Sequence, residues 1–398
     1  MTSAVNAERV EGWPRAGRGW LWVVWLALAA LGTIGVMQRI IRGHLPAGYG
    51  SYVPWGLWVA LYFHGIGIAG GAFVIGAGGF ILDLPGFRSL AWLRTVIVLS
   101  VAAIIPAFMG VWLDLGHMSR AYRIFLHPSF TSMMAFNAWM YAVFCIVAAV
   151  CWLLSYRRQP SDWLKPLLCL GVLLSIMFPS QSGAFFGVVD AKAFWHSALL
   201  PVLFLTSAIT SGSAMLLVVR SLIGSIPEPG QTADEAHQAA VQRLRWVLIK
   251  AMLIYFALEF AEFSIALWNP NIHAPAIELI LWGPYWWVFW IVHLLIGGVL
   301  PLALLASRKP AVWSLAAVLV AISFVSTRLN VLVPGQAVGE IRGLQDAFHH
   351  HRLNYIYHAT AMEYLVGLFL VAVGVAVFYI GQRLSAAVGR RAGLLANL

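Results

Sequence analysis

The chain alternates long apolar runs with short polar connections, and the lengths of the runs predict its elements. About 20 apolar residues, rising about 1.5 Å each, cross a hydrocarbon core as a helix. Ten runs of this order occur, at 19–38, 53–82, 91–113, 132–155, 163–182, 195–222, 246–268, 277–306, 311–327 and 362–382. Glycine and proline inside them do not argue against helix, because membrane helices tolerate both. The expected fold is therefore all-α, a polytopic integral membrane protein of about ten transmembrane helices. The first 18 residues mix Glu8 and Glu11 with three arginines, and the next run is long enough to span. It reads as an uncleaved first helix rather than a signal peptide. The expected organisation is a tail over 1–18, a helical domain over 19–385 and a second tail over 386–398. Gly67 and Gly71, and Ser207 and Ser211, stand at the small-residue spacing that lets membrane helices pack closely.

Composition agrees with this class. Of 398 residues, 61% are apolar, mean hydropathy is +0.83, and nineteen are tryptophan, which collects at membrane interfaces. The formal charge of +10 contains no run dense enough for a nucleic-acid patch and reads as loop charge. Ten helices put both ends of the chain on one side. That side carries 16 Lys and Arg, the other carries 8, and Lys250 lies within the seventh run. The excess predicts cytoplasmic termini and, in a bacterial inner membrane, a periplasmic face opposite them. The three cysteines, Cys145, Cys151 and Cys169, all lie in apolar runs and form neither a C-x-x-C pair nor a haem-attachment motif. No iron–sulfur cluster and no haem is expected in this chain.

Ionisable residues within membrane spans are costly and suggest function. In the seventh run, Glu259 and Glu262 are three apart and share one helix face. Such a pair suits proton transfer. Tyr62 and His64 fall in the outer half of the second helix but on different faces. Asp114 and His117 close the third helix, and His196 is expected to begin the sixth. His293, near the middle of the eighth, has no partner legible in sequence. Tyr62, His64, Asp114, His117, His196, Glu259 and Glu262 come from separate helices yet share one membrane half. The expectation is a single polar cavity opening toward the outer face. An apolar, aromatic wall with several titratable groups suits a quinone, whose ring needs apolar contact and whose redox step moves two protons.

The segments "VPWGLWVALYFHGIGIAGGAF", "LDLGHMSRAYRIFLHPSF", "SGAFFGVVDAKAFWHSALLPVLFLTSAITSGSA" and "RLNVLVPGQ", in this order, resemble the NrfD/PsrC family of quinone-reactive membrane subunits. Ten helices and the C-terminal "MEYLVGL" look most like its HybB/DsrP branch, rather than the eight-helix polysulfide reductase subunit. The resemblance covers about residues 50–380. It implies two four-helix bundles plus extra helices, a periplasmic quinone site for menaquinone or ubiquinone, and no prosthetic group in the chain. It also implies a periplasmic ferredoxin-like iron–sulfur subunit and a catalytic subunit as partners. Asp114 and His117 match the family's "LDLG(R/H)" segment, and His196 falls where relatives read "FW(N/H)SALLP". Glu259 and Glu262 match acidic positions on a family helix. His64 stands where many relatives have an aliphatic or aromatic residue.

The resulting expectation is electron transfer between a partner's cluster and a bound quinone. His196, Asp114 or His117 would bond a quinone oxygen, Tyr62 would line the ring, and Glu259 and Glu262 would exchange protons. Hydrogenase, polysulfide or tetrathionate reductase, sulfite-linked and cytochrome-linked complexes all use such subunits. A proton-coupled transporter, with internal repeats meeting at the midplane, is one alternative. A b-type cytochrome using His64 and His293 is another, and a redox-inert membrane anchor is a third. The "FHHHR" run, His349 to His351, reads either as a solvated loop or as part of a docking surface.

Overall fold

The computed structural model describes residues 19–157, 161–268, 273–341, 343–348, 350 and 353–394. Ten helices among these are long and apolar enough to cross a membrane, in the predicted order. They are α1 (Gly19–Arg42), α2 (Leu57–Ile81), α3 (Leu90–Asp114), α4 (Met133–Leu154), α5 (Leu164–Gly187), α6 (Leu200–Ile223), α7 (Ala233–Trp268), α8 (Val288–Ala306), α9 (Pro310–Ala337) and α10 (Ala361–Leu394). The protein is a multi-pass integral membrane protein with all-α architecture. Helices α2 to α5 pack around one another as a first bundle, and α6 to α9 as a second. The bundles meet along α2, α5, α6 and α9, while α1 pairs with α10 outside the first and α10 leans on α3.

Close approach of α2 to α6 joins the two bundles. A Cβ at Gly71 would stand 1.9 Å from the Ala208 carbonyl oxygen, and one at Gly212 would meet the backbone of Gly71 and Ala72 at 2.2–2.6 Å. Only hydrogen fits at either crossing, so backbones touch without intervening side chains.

Helix starts follow from capping chemistry. At α7, the Thr232 hydroxyl accepts from the Glu235 N–H (3.3 Å) and the Glu235 carboxylate accepts from the Thr232 N–H (2.9 Å), a reciprocal box. It starts α7 thirteen residues before the predicted 246, in a segment expected to be a loop. At about 1.5 Å per residue, the 36 residues of α7 outreach a hydrocarbon core of about 30 Å. Ser89 and Ser132 cap α3 and α4 in the simpler way, each accepting one backbone N–H.

Three other boundaries differ from expectation. The run 277–306 is two pieces, a short helix Ala274–Leu281 and α8, separated at Gly283 and Pro284. Pro284 has no N–H to continue a helix. Over Val288–Val299, α8 widens to a π-helical twist, which ends just before Pro301. Helix α9 bends at Phe324 and then continues to Ala337, through the "RLNVLVPGQ" segment expected to lie in a loop. Pro334 sits inside it, and neighbouring carbonyls find side-chain donors. Trp195 Nε1 donates to Val331 O (2.8 Å), and Gln336 Nε2 donates to Leu332 O (2.9 Å). Lastly, α10 runs through residue 394, beyond the expected tail boundary at 386.

Candidate functional site

All connections at one end of the molecule are long, and this loop-rich end lies opposite Gly19 and Leu394. At this end of the first bundle a cavity of about 820 Å³ lies between α2, α3, α4 and the 115–126 connection, with Phe185 of α5. Its wall is chiefly apolar and aromatic: Trp55, Phe63, Phe108, Trp112, Phe125 and Phe185 among others. Trp112, Leu115, Phe125 and Met134 of this lining are also exposed, so the cavity opens between the end of α3 and the start of α4.

A few polar groups interrupt the wall: Tyr62, Asp114, His117, Arg120, Asn137 and Tyr141. Tyr62 OH donates to Tyr141 OH (3.3 Å), and Tyr141 OH shares a hydrogen bond with Ser182 Oγ of α5 (3.0 Å). Ser182 Oγ reaches the Phe178 carbonyl (2.8 Å), so a line of hydroxyls runs from the cavity into the bundle. Two buried acceptors, Asp114 Oδ1 and Asn137 Oδ1, have no hydrogen-bond partner among the described residues. Buried polar groups are nearly always paired, so unpaired ones on a cavity wall favour a ligand or water that donates to them.

The second bundle holds a separate polar cluster. Glu259 of α7 accepts from Tyr255 OH through Oε1 (2.8 Å) and meets His293 Nε2 through Oε2 (2.8 Å). His293 Nδ1 faces Ser326 Oγ (3.2 Å). His293 is fully buried, and the widened twist of α8 carries it. Wide helical turns are frequent at functional sites. Alongside lies a small cavity of about 20 Å³, close to the room for one water, lined by Glu259, Glu262, Arg328 and Asn330. Arg328 is buried, sits 3.9 Å over the Phe204 ring, and donates from Nη2 to the Phe204 carbonyl (3.2 Å). Its Nε and Asn330 Nδ2 have no partner among the described residues.

The expected single cavity is thus divided. Tyr62, Asp114 and His117 line the first-bundle cavity, and Glu259 and Glu262 line the second-bundle one. His64 and His196 line neither. His64 Nε2 bonds the Ala321 carbonyl (2.7 Å) near the bend of α9, which makes it a satisfied histidine between bundles. His196 does not begin a helix. Residues 188–199 form a turn with one short 3₁₀ segment, and α6 starts at Leu200 with Pro201 in its first turn. The ring is 59% exposed and pairs with Asp190 at 3.1 Å. Lys192 of the same turn reaches Glu340 (3.1 Å) and so ties the turn to the end of α9. The haem alternative requires His64 and His293 facing one another, but His293 spends both ring nitrogens on Glu259 and Ser326. His349 and His351 lie outside the described residues.

Several functional candidates are not legible in the sequence. Tyr141 and Asn137 carry no motif, and each reads as one more residue of an apolar helix. Tyr255, four residues before Glu259, is a detectable helical neighbour. Arg328 falls one residue past the predicted end of the ninth run, and so on the loop side of it.

Among the described residues, ten membrane-length helices, a large aromatic cavity in one bundle and a buried acid–histidine cluster in the other define a polytopic helical membrane protein. Residues 47–340 match the family described as "Polysulphide reductase, NrfD", and the chain belongs to that family. It is similar to a selenate reductase subunit of Mesobacillus selenatarsenatis, at 25% identity over 90% of this chain and 91% of the relative. It is also similar to the Hdr-like menaquinol oxidoreductase integral membrane subunit of Archaeoglobus fulgidus, at 25% identity over 92% and 93%. A third relative is a putative dimethyl sulfoxide reductase membrane subunit of Halobacterium salinarum, at 26% identity over 92% and 91%.

Proposed function

We propose that this protein is the quinone-reactive membrane subunit of a respiratory oxidoreductase complex. In this reading it passes electrons between the quinone pool and a periplasmic iron–sulfur partner, which serves a catalytic subunit. The first-bundle cavity carries the proposal. It offers apolar walls for a ring, an opening among exposed apolar residues for a lipid-soluble entrant, and hydroxyl, carboxyl, amide and imidazole groups for its oxygens. A named menaquinol oxidoreductase subunit among the relatives, aligned over nearly its full length, supports the ligand class.

The ligand would supply two-electron, two-proton chemistry, and the residues would do the rest. Tyr62, whose hydroxyl hydrogen is held by Tyr141, accepts from a ring hydroxyl. Asp114 and Asn137 accept from a ring hydroxyl, and His117 guards the rim. The aromatic wall excludes water from the ring. Glu259 and Glu262 exchange protons in the second bundle. The Ser326 hydroxyl can turn between His293 Nδ1 and the Ser323 carbonyl, so the cluster can hold one or two ring protons. The excess of Lys and Arg on the side of the termini supports placing the cavity at the periplasmic face of a bacterial inner membrane.

The test is equilibrium binding of menaquinone and ubiquinone analogues to the purified protein in nanodiscs, together with subunit identification and metal analysis of the native complex. Saturable binding that is lost when Ala138, on the cavity wall, is replaced by Trp supports the reading. Equal uptake by both proteins sinks it.

A further inference from the structure

A third set of polar residues lies behind the cavity wall, where α1 and α10 meet the end of α3. Arg39 of α1 is buried and donates from Nε to the Leu113 carbonyl (2.7 Å) and from Nη2 to the Leu115 carbonyl (2.8 Å). These bonds bracket Asp114 and fix it between the cavity and the α1–α2 connection. Asp114 lines the cavity, yet its Oδ1 is buried and unpaired. Two more buried atoms without a partner stand beside it, the Tyr49 hydroxyl and His44 Nε2. The Tyr49 hydroxyl lies within loose hydrogen-bond reach of the Asp114 carboxyl, and the His44 ring within the same reach of the Asp114 backbone, but neither contact closes into a well-formed bond. The His44 and Tyr49 ring centroids are 5.7 Å apart. Three unpaired polar atoms on residues that face one another are the signature of bridging water, since a buried water satisfies two to four such groups.

We infer that water links Asp114, Tyr49 and His44, and that this chain is the proton outlet of the cavity, delivering protons to the partly exposed His44 imidazole. The inference rests on reading the cavity as a quinone site. Asp114 takes one ring-hydroxyl proton as one electron leaves for the partner's iron–sulfur acceptor, and a second such transfer completes the two-electron, two-proton oxidation. The carboxylate is regenerated as the proton passes through water and the Tyr49 hydroxyl to a ring nitrogen of His44. Imidazole then releases a proton from its other nitrogen to solvent. Run backwards, the same path supplies protons for quinone reduction.

The other ionisable groups facing this path are Arg39, Tyr357 and Glu363, and hydrogen bonds hold each of them in place. Glu363 Oε2 accepts from the N–H of Gly48 (2.9 Å) and of Thr360 (3.0 Å), and Oε1 accepts from Tyr357 OH. These groups position the path rather than carry the proton. Burial and the Arg39 guanidinium hold the His44 imidazole below its ordinary range, which favours its neutral form and so the release of a proton to solvent.

The test uses the intact complex in native membranes, a short-chain quinol and a quinol-analogue inhibitor. His44→Ala is expected to lower turnover by about tenfold or more. Inhibitor affinity should stay within about twofold of wild type, a difference below about 0.5 kcal/mol. Added imidazole should restore turnover, which a merely structural residue would not allow. Tyr49→Phe keeps the ring contacts and deletes the hydroxyl. It is expected to slow turnover and enlarge the solvent isotope effect, and it decides the question if His44→Ala does not assemble. Wild-type turnover in Tyr49→Phe, or in His44→Ala, overturns the outlet. So does a loss in His44→Ala that imidazole leaves unchanged. Failure of the wild-type protein to bind the inhibitor would instead sink the quinone reading, and the outlet with it.

Discussion

Replacing Tyr141 with Phe isolates the cavity's polar function from its shape. The Tyr141 side chain is 1% exposed, and its ring packs edge-on against Phe108 at 5.4 Å and Phe178 at 5.3 Å, contacts that Phe retains. Only the hydroxyl is lost, and with it the bonds to Tyr62 (3.3 Å) and Ser182 (3.0 Å). Ser182 keeps its bond to the Phe178 carbonyl, so it is not orphaned. Tyr62 loses its protein partner. One net hydrogen bond is worth about 0.5–1.5 kcal/mol, and an orphaned hydroxyl costs about 1–3 kcal/mol. Destabilisation of about 1–2 kcal/mol is therefore expected. A Tyr62 acceptor that is no longer oriented should weaken quinol binding by about 1.4 kcal/mol, close to tenfold. Trp55 and Trp112 line the cavity, so the change in tryptophan fluorescence on titration with a short-chain quinol reports occupancy. The matched control is Tyr156→Phe. It deletes a hydroxyl bonded to the Ser385 carbonyl (3.0 Å) at the other end of the molecule, and it should leave affinity within about twofold. Equal affinities for wild type and Tyr141→Phe, or equal losses in the two variants, would refute the assignment of Tyr62 and Tyr141.

Glu259→Ala removes the acceptor of Tyr255 OH and the buried partner of His293 Nε2. It should cost about 1–3 kcal/mol, read as a lower thermal midpoint in detergent, and an unchanged midpoint contradicts the cluster geometry. Gly71→Leu drives a side chain into the Ala208 carbonyl and should prevent accumulation of the folded protein in membranes; normal yield would mean that the bundle crossing is looser than described. His196→Ala removes an exposed ring paired with exposed Asp190. Quinol turnover should stay within about twofold, as for most surface changes, and a large loss would return this residue to the site.

Ten apolar runs, their order and the close-packing glycine at 71 are legible because lipid imposes one rule along the whole chain: backbone groups must pair within a helix, and spans must be apolar. That rule reads length well and ends poorly. It places Tyr62, Asp114 and His117 at one end of the molecule, since depth follows from counting residues. It cannot divide the polar residues between bundles, because two sites at equal depth look alike in a one-dimensional tally. Hence depth alone groups Glu259 and Glu262 with a cavity they do not line. His293 looks partnerless in sequence because its partners, Glu259 and Ser326, are 34 and 33 residues away on other helices.

The largest misreading, at the end of α9, has a specific physical cause. Ser323, Ser326 and Thr327 close the predicted run, and Arg328, Asn330 and Gln336 with Pro334 among them lie past it, so the stretch beyond 327 has the composition of a loop. All six polar residues are nevertheless buried. Hydropathy scores a residue against lipid, whereas these side chains face the other helices of the second bundle and α2. Here the helix is kept by side-chain donors to its own carbonyls: the hydroxyls of Ser323, Ser326 and Thr327, the Gln336 amide, and Trp195 from the neighbouring turn. A polar segment that keeps its helix deep in a bundle brings Arg328 to the cavity that Glu259 and Glu262 line, a cation among carboxylates that no surface loop could supply. The residues that made the segment look like a loop are thus the ones that give the second bundle its chemistry.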